Sequence, residues 1–213
     1  MCNWLNLFSQ HIHFVYVEFF IKFNKLIWIG RYKYLNIKEE LGLIHFYYGS
    51  GKGKTSAAIG VIIRALAYDL KIVYVQFLKN GMSSENIMLD KYSNVNIMYV
   101  NKMDKFTFDM NETELAEIKH LHNENLKKAI DLCETGQCDI LILDEIGDAL
   151  DLKLIDEKLI FDFLECKPSK VEVILTGHKG IEKIIDLADY VSEINNIKHP
   201  FDKGIQARKG IDK

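Results

Sequence analysis

A 213-residue chain with 48% hydrophobic content can fill the core of one globular α/β domain, and that composition is not that of a disordered protein. Its 27 basic and 30 acidic residues leave a net charge of -3. That balance excludes a broad nucleic-acid footprint or a polybasic membrane anchor and favours small ligands. Cys2, Cys133, Cys138 and Cys166 form no C-x-x-C pair and no zinc spacing, so reduced, mostly buried thiols are expected, in a cytoplasmic enzyme.

The first 34 residues crowd aromatics such as Trp4, Phe14, Phe20 and Trp28 ahead of any recognisable strand. Their most apolar part, Phe14 to Ile29, carries Glu18, Lys22 and Lys25, too charged and too short for a membrane span, and no small-residue cleavage site follows. Three readings stand: a covering segment, an interfacial helix, or a non-native extension from an upstream start. The last is preferred, placing the domain proper over residues 35–213. His11 and His13, like His120 and His122, have i, i+2 spacing that diverges on a helix, so structural or surface roles are expected rather than a metal site.

Next comes the apolar run Leu43 to Tyr48, and then Gly49-Ser50-Gly51-Lys52-Gly53-Lys54-Thr55-Ser56 with Ala57, Ala58 and Ile59 behind it. Strand, phosphate loop and helix fall in the required order. Glycines let the loop turn and aim backbone N–H groups at phosphate oxygens, and the helix adds the positive end of its dipole. Lys54 brings a point charge, and the Thr55 hydroxyl suits a magnesium ion. The general pattern wants a further glycine where Tyr48 stands, so the loop is a variant form.

From Leu43 onward short apolar runs alternate with helical patterns, the signature of a mostly parallel sheet with helices on both faces. Strands are expected at Leu43 to Tyr48, Lys71 to Phe77, Val95 to Val100, Asp139 to Leu143, Val171 to Leu175 and Tyr190 to Ile194. The clearest helices are Lys54 to Ala67, Glu112 to Glu134, Ile155 to Leu164 and Ile181 to Leu187, with Asn111 or Thr113 as an N-cap and Gly136 as a stop. The run Ile140-Leu141-Ile142-Leu143-Asp144-Glu145 places two carboxylates at the carboxyl end of a buried strand, where open α/β sheets bind ligands. Beside a phosphate loop they can hold magnesium with Thr55. The plainer alternative is that they complement the dipole of a helix over Ile146 to Leu150.

At these residues the chain resembles the P-loop corrinoid adenosyltransferases, the ATP:cob(I)alamin adenosyltransferases, over roughly Leu43 to Asp212. The resemblance rests on Gly49 to Thr55, Val75-Gln76-Phe77-Leu78-Lys79, Leu143-Asp144-Glu145, Leu175-Thr176-Gly177, Leu187-Ala188-Asp189 and Lys198-His199-Pro200-Phe201-Asp202-Lys203-Gly204-Ile205. It implies a P-loop NTPase-like, RecA-like fold and a reaction in which cobalt(I) of a corrinoid attacks C5′ of ATP and the whole triphosphate leaves. ATP would lie turned end for end relative to other P-loop enzymes. Gly49, Ser50, Gly51, Lys52, Gly53, Lys54, Thr55, Ser56 and Arg64 would bind ATP. Lys54, Thr55 and Glu145 would be the catalytic residues, and Thr55, Asp144 and Glu145 would hold magnesium, with manganese as a possible substitute.

The same resemblance assigns the corrinoid to Phe106, Phe108, Lys198, His199 and Asp202, with the two rings displacing its lower axial base. Phe108 stands where the family commonly has tryptophan, and His178 where it commonly has arginine. Implied partners are an electron-donating reductase such as a flavoprotein and a second copy in a homodimer; neither nucleic acid nor membrane is expected. Gln76, Lys79 and Glu85 are further residues at the ligand edge. The rival readings are another P-loop kinase or ATPase, and a nucleotide- or corrinoid-binding protein without turnover.

Overall fold

A computed structural model of the chain describes residues 37–101, 105 and 107–212. The expectations for residues 1–34 and for Phe106 lie outside the described residues. Six strands, β1 (Ile44–Tyr48), β2 (Ile72–Gln76), β3 (Val95–Met98), β4 (Ile140–Asp144), β5 (Glu172–Gly177) and β6 (Tyr190–Glu193), pair in parallel in the order β3-β2-β4-β5-β1-β6. Every residue of β2 and β4 is buried, which is why those segments read as unbroken apolar runs rather than alternating ones. The expected α/β fold of P-loop type is therefore present.

Register sets the site. Gln76 lies opposite Asp144, Leu143 opposite Leu175, and Tyr48 opposite both Gly177 and Glu193, so the carboxyl ends of five strands finish along one edge. In such sheets that edge carries the ligand. One core of Phe46, Val75, Leu141, Leu143, Val173 and Leu175 lies beneath it. A smaller cluster of Val100, Ile118 and Leu154 sits under the segment leaving β2, and Leu78 packs against both.

The helices are α1 (Lys54–Leu66), α2 (Ser84–Leu89), α3 (Glu112–Glu134), α4 (Ile146–Asp151), α5 (Glu157–Cys166) and α6 (Glu182–Leu187). Of the two cap candidates for α3, Asn111 is used. Its side chain accepts from Glu114 N at 3.0 Å while the Glu114 carboxylate accepts from Asn111 N at 2.9 Å. Gly136 follows α3 with φ 70°, the left-handed stop expected of it. α5 starts two residues later than the apolar pattern suggests, because Asp156 is extended and its side chain accepts from Lys158 N. Cys133 and Cys138 are buried free thiols, whereas Cys166 is exposed. Among the described residues no helix is long and apolar enough to cross a membrane.

Candidate active site

The phosphate loop joins the end of β1 to α1 and is held against the end of β6. Gly49 N donates to Gly177 O at 3.2 Å, Gly51 N to Ile194 O at 2.7 Å, and Asn196 Nδ2 to Ser50 O at 3.0 Å. Gly49 has φ 120°, and a Cβ there would lie 2.3 Å from Ile194 O; one on Gly51 would lie 2.7 Å from the same atom. These positions are glycine because the loop backbone runs against another strand end. The amides of Gly49 and Gly51 are thus committed to protein carbonyls. Of the loop N–H groups expected to face phosphate, these two therefore point at the protein instead. The α1 terminus remains: Gly53 occupies its N-cap with no side-chain hydrogen bond, which suits an anion at the first helical turn.

Lys54 donates to Gly49 O at 2.7 Å and Gly51 O at 2.8 Å, bracing the loop. An ammonium has three protons, so one is left for a ligand oxygen. Burial lowers the Lys54 pKa, opposed by the nearby charges of Asp148, Glu145 and Asp144. Lys52 instead pairs with Asp212 in the carboxyl-terminal tail and donates to Ile211 O at 2.9 Å.

Asp144 is the hub. It has 0% exposure, and its carboxylate accepts four hydrogen bonds: from Thr55 Oγ1 at 3.0 Å, Thr176 Oγ1 at 2.8 Å, Tyr74 OH at 3.1 Å and Lys79 Nζ at 2.7 Å. Helix α1 and the ends of β2, β4 and β5 are thereby tied to one side chain. Next to it Glu145 sits in the left-handed region at φ 62°, donates its N–H to Thr176 Oγ1 at 2.8 Å, and lies 3.3 Å from Lys79 Nζ. Burial pushes the Glu145 carboxyl up, opposed by Lys79 and aided by Asp144. For Lys79, burial acts downward, but the Asp144 and Glu145 carboxylates outweigh it and hold the ammonium above its ordinary value. Burial raises the Tyr74 phenol well beyond its usual range, and the charges of Asp144 and Glu85 add to this, so it stays a proton donor. Behind it Gln76 donates to Tyr74 OH at 3.0 Å and accepts from Asn86 Nδ2 at 2.6 Å.

The structure brings Gly49 to Ser56, Asp144 and Glu145 together, with Gln76, Lys79 and Glu85 beside them. It does not bring Arg64 to the loop: the residue is exposed, ten positions along α1 from Lys54, or about 15 Å by helical rise. His178 is exposed and bonds Asp148 at 3.0 Å. Phe108, in a 3-10 turn, is 80% exposed. Lys198, His199 and Asp202 lie in the surface tail, where His199 Nδ1 accepts from Phe201 N at 3.2 Å. Among the described residues no group of three or more His, Cys, Asp or Glu side chains is arranged to hold a metal. A metal here would need oxygens from Thr55, water and nucleotide as well. An open groove of about 620 Å³ lies along edge strand β3, lined by Gly81, Asn86, Asp90 and Tyr99 among others, and no phosphate-loop residue borders it.

Sequence reasoning missed Tyr74, Thr176 as an Asp144 partner, Asp148 and Asp212. Each meets its partner only through strand register or the returning tail, so no local spacing announces it.

The family model of the ATP:corrinoid adenosyltransferases BtuR/CobO/CobP matches residues 40–212. A corrinoid adenosyltransferase of Sinorhizobium sp is 34% identical over 176 residues, covering 82% of this chain and 81% of its own. The corrinoid adenosyltransferase of Escherichia coli strain K12 is 30% identical over 178 residues, covering 82% and 87%. A solved structure of EssC ATPases 2 and 3 from Geobacillus thermodenitrificans aligns over 80% of this chain and 35% of its own at 12% identity and TM-score 0.42, a likeness too slight to bear on function. Because the family match spans the phosphate loop, both carboxylates and the tail, the chain belongs to the ATP:corrinoid adenosyltransferase family BtuR/CobO/CobP.

Proposed function

We propose that this chain transfers the 5′-deoxyadenosyl group of ATP to the cobalt(I) of a corrinoid and releases triphosphate. The observation that carries the reading is the junction of the phosphate loop with a buried carboxylate: Thr55 at the start of α1 donates to Asp144, and Glu145 stands next to it. Within a family named for ATP and corrinoid, that junction is where the triphosphate of ATP fits.

The residues suit a magnesium ion in a particular way. Asp144 already accepts four protons, so it orients Thr55 and Lys79. Thr55 and Glu145 would contact the ion, which would supply positive charge against the leaving triphosphate. The uncapped α1 terminus and the Lys54 ammonium stabilise the same developing charge, and they are in place before reaction. The corrinoid metal brings its own electron pair as substrate, so no serine, cysteine or histidine nucleophile is required. Binding, alignment and exclusion of water are the protein's part.

Phe106 and Phe108 pack on the corrinoid in this reading, Lys198, His199 and Asp202 approach it from the tail, and a flavoprotein-type reductase delivers the electrons. The protein works in the cytoplasm as a homodimer, and residues 1–34 are dispensable. Two variants test the site. Lys54→Ala should lower adenosylation on the order of 10²-fold while the protein stays folded. Glu145→Gln should raise the magnesium concentration for half-maximal rate. Near-parental turnover of the first variant, or an unchanged magnesium curve for the second, would remove that residue from the site.

A further inference from the structure

We propose that His122, on helix α3, is a positioning residue: it fixes the left-handed turn at Leu78 and so holds Lys79 against the Asp144 and Glu145 carboxylates. Strand β2 remains paired to β4 through Phe77 N, which donates to Asp144 O at 3.0 Å. At the next residue the chain bends out of the strand, because Leu78 has φ 56°. A leucine rarely adopts that conformation, so the surroundings must impose it. Two contacts do. The Leu78 side chain packs into both hydrophobic clusters, and its N–H donates to His122 Nε2 at 3.3 Å.

His122 is well suited to this task. It has 0% exposure and is gripped edge-on by Phe77, with ring centroids 5.3 Å apart at 80°. Accepting from Leu78 requires an unprotonated Nε2, which places the proton on Nδ1; that atom has no partner of good hydrogen-bond geometry among the described residues. Burial pushes the His122 pKa down to about 4, against a smaller upward pull from the Leu154 backbone, so the ring stays a neutral acceptor at working pH. One residue beyond the turn, Lys79 reaches Asp144 at 2.7 Å and Glu145 at 3.3 Å. An extended backbone at Leu78 would carry the ammonium past them. The link to catalysis rests on the reading of those carboxylates given above, but the turn itself can be tested without it.

Lysine labelling of the full chain by acetic anhydride, read by peptide mass spectrometry, reports where Lys79 is. In the parent, Lys79 should react far more slowly than exposed Lys183. His122→Leu should speed Lys79 labelling by roughly tenfold, the scale of one lost buried hydrogen bond. His122→Gln, whose carbonyl oxygen can accept in place of Nε2, should keep it slow. A second arm reads turnover: His122→Leu should lower kcat/KM for adenosylation by roughly tenfold, the same single-bond scale, and add nothing in a Lys79→Met background. Where His122→Leu does not fold, His122→Asn replaces it: its amide keeps a polar group in the pocket but ends short of the Nε2 position, so Lys79 should again label fast while His122→Gln stays slow. Parental Lys79 labelling in folded His122→Leu or His122→Asn, fast labelling in folded His122→Gln, or losses that multiply with Lys79→Met would overturn the proposal. A parent with slow Lys79 labelling but no adenosylation would sink the functional reading and leave the turn standing.

Discussion

Replacing Asp144 with asparagine isolates the charge at the centre of the site. The amide is nearly the size of the carboxylate, so packing is kept. Its oxygen would face Lys79, which cannot accept a hydrogen bond, and its nitrogen would face Thr55 and Thr176, whose hydroxyls can rotate. The main cost is then the lost negative charge beside a Lys79 side chain only 21% exposed. Breaking a buried pair costs about 3–5 kcal/mol. Glu145 remains as a second carboxylate at 3.3 Å, so the low end, about 3 kcal/mol, is expected. For a domain of this size that amounts to a drop in Tm of roughly 6–12 °C. Thermal unfolding followed by circular dichroism, at neutral pH and without nucleotide, measures it. A change of less than about 2 °C, under 1 kcal/mol on the same scale, would refute the assignment of Asp144 as the electrostatic hub.

Other perturbations test separate links. Gly51→Ala puts a methyl 2.7 Å from Ile194 O, so the loop must shift; ATP affinity should fall at least roughly tenfold with little change in Tm, and equilibrium binding of a fluorescent ATP analogue checks this. His122 gives a pH signature. Its folded pKa of about 4 lies below the unfolded value of 6.5, so its contribution to stability is fully present above pH 6.5 and is lost as pH falls from there toward 4. The full loss is about 3 kcal/mol, and urea unfolding across that window should show a shallower pH slope for His122→Gln; equal slopes would mean the histidine titrates normally.

Much of this was legible because it is local. Gly49 to Thr55 announces itself by spacing, the start of α3 by two cap candidates, Asn111 and Thr113, between which the structure decides, and β2 and β4 by unbroken apolar runs. Asp144 and Glu145 could be placed at a strand end, but their division of labour could not. It depends on Tyr74 and Thr176 arriving from β2 and β5, residues 70 and 32 positions away in the chain. Helix α2 has only six residues, too short to show a helical period. Arg64 was assigned to ATP by the family resemblance alone, and helical rise places it about 15 Å along α1 from Lys54, away from the loop itself. Asp189, in the segment Leu187-Ala188-Asp189, accepts from Ile44 N at 2.8 Å and fastens the start of β1, a contact that no local spacing announces.

The most direct measurement is the fate of the three phosphates. The full chain is incubated anaerobically with ATP, magnesium and pre-reduced corrinoid, with phosphorus NMR recorded alongside the light-sensitive spectrum of the cobalt–carbon product. Adenosyl transfer predicts intact triphosphate, formed one for one with adenosylated corrinoid. Release of ADP and phosphate, or turnover of ATP without any cobalt–carbon product, would contradict it.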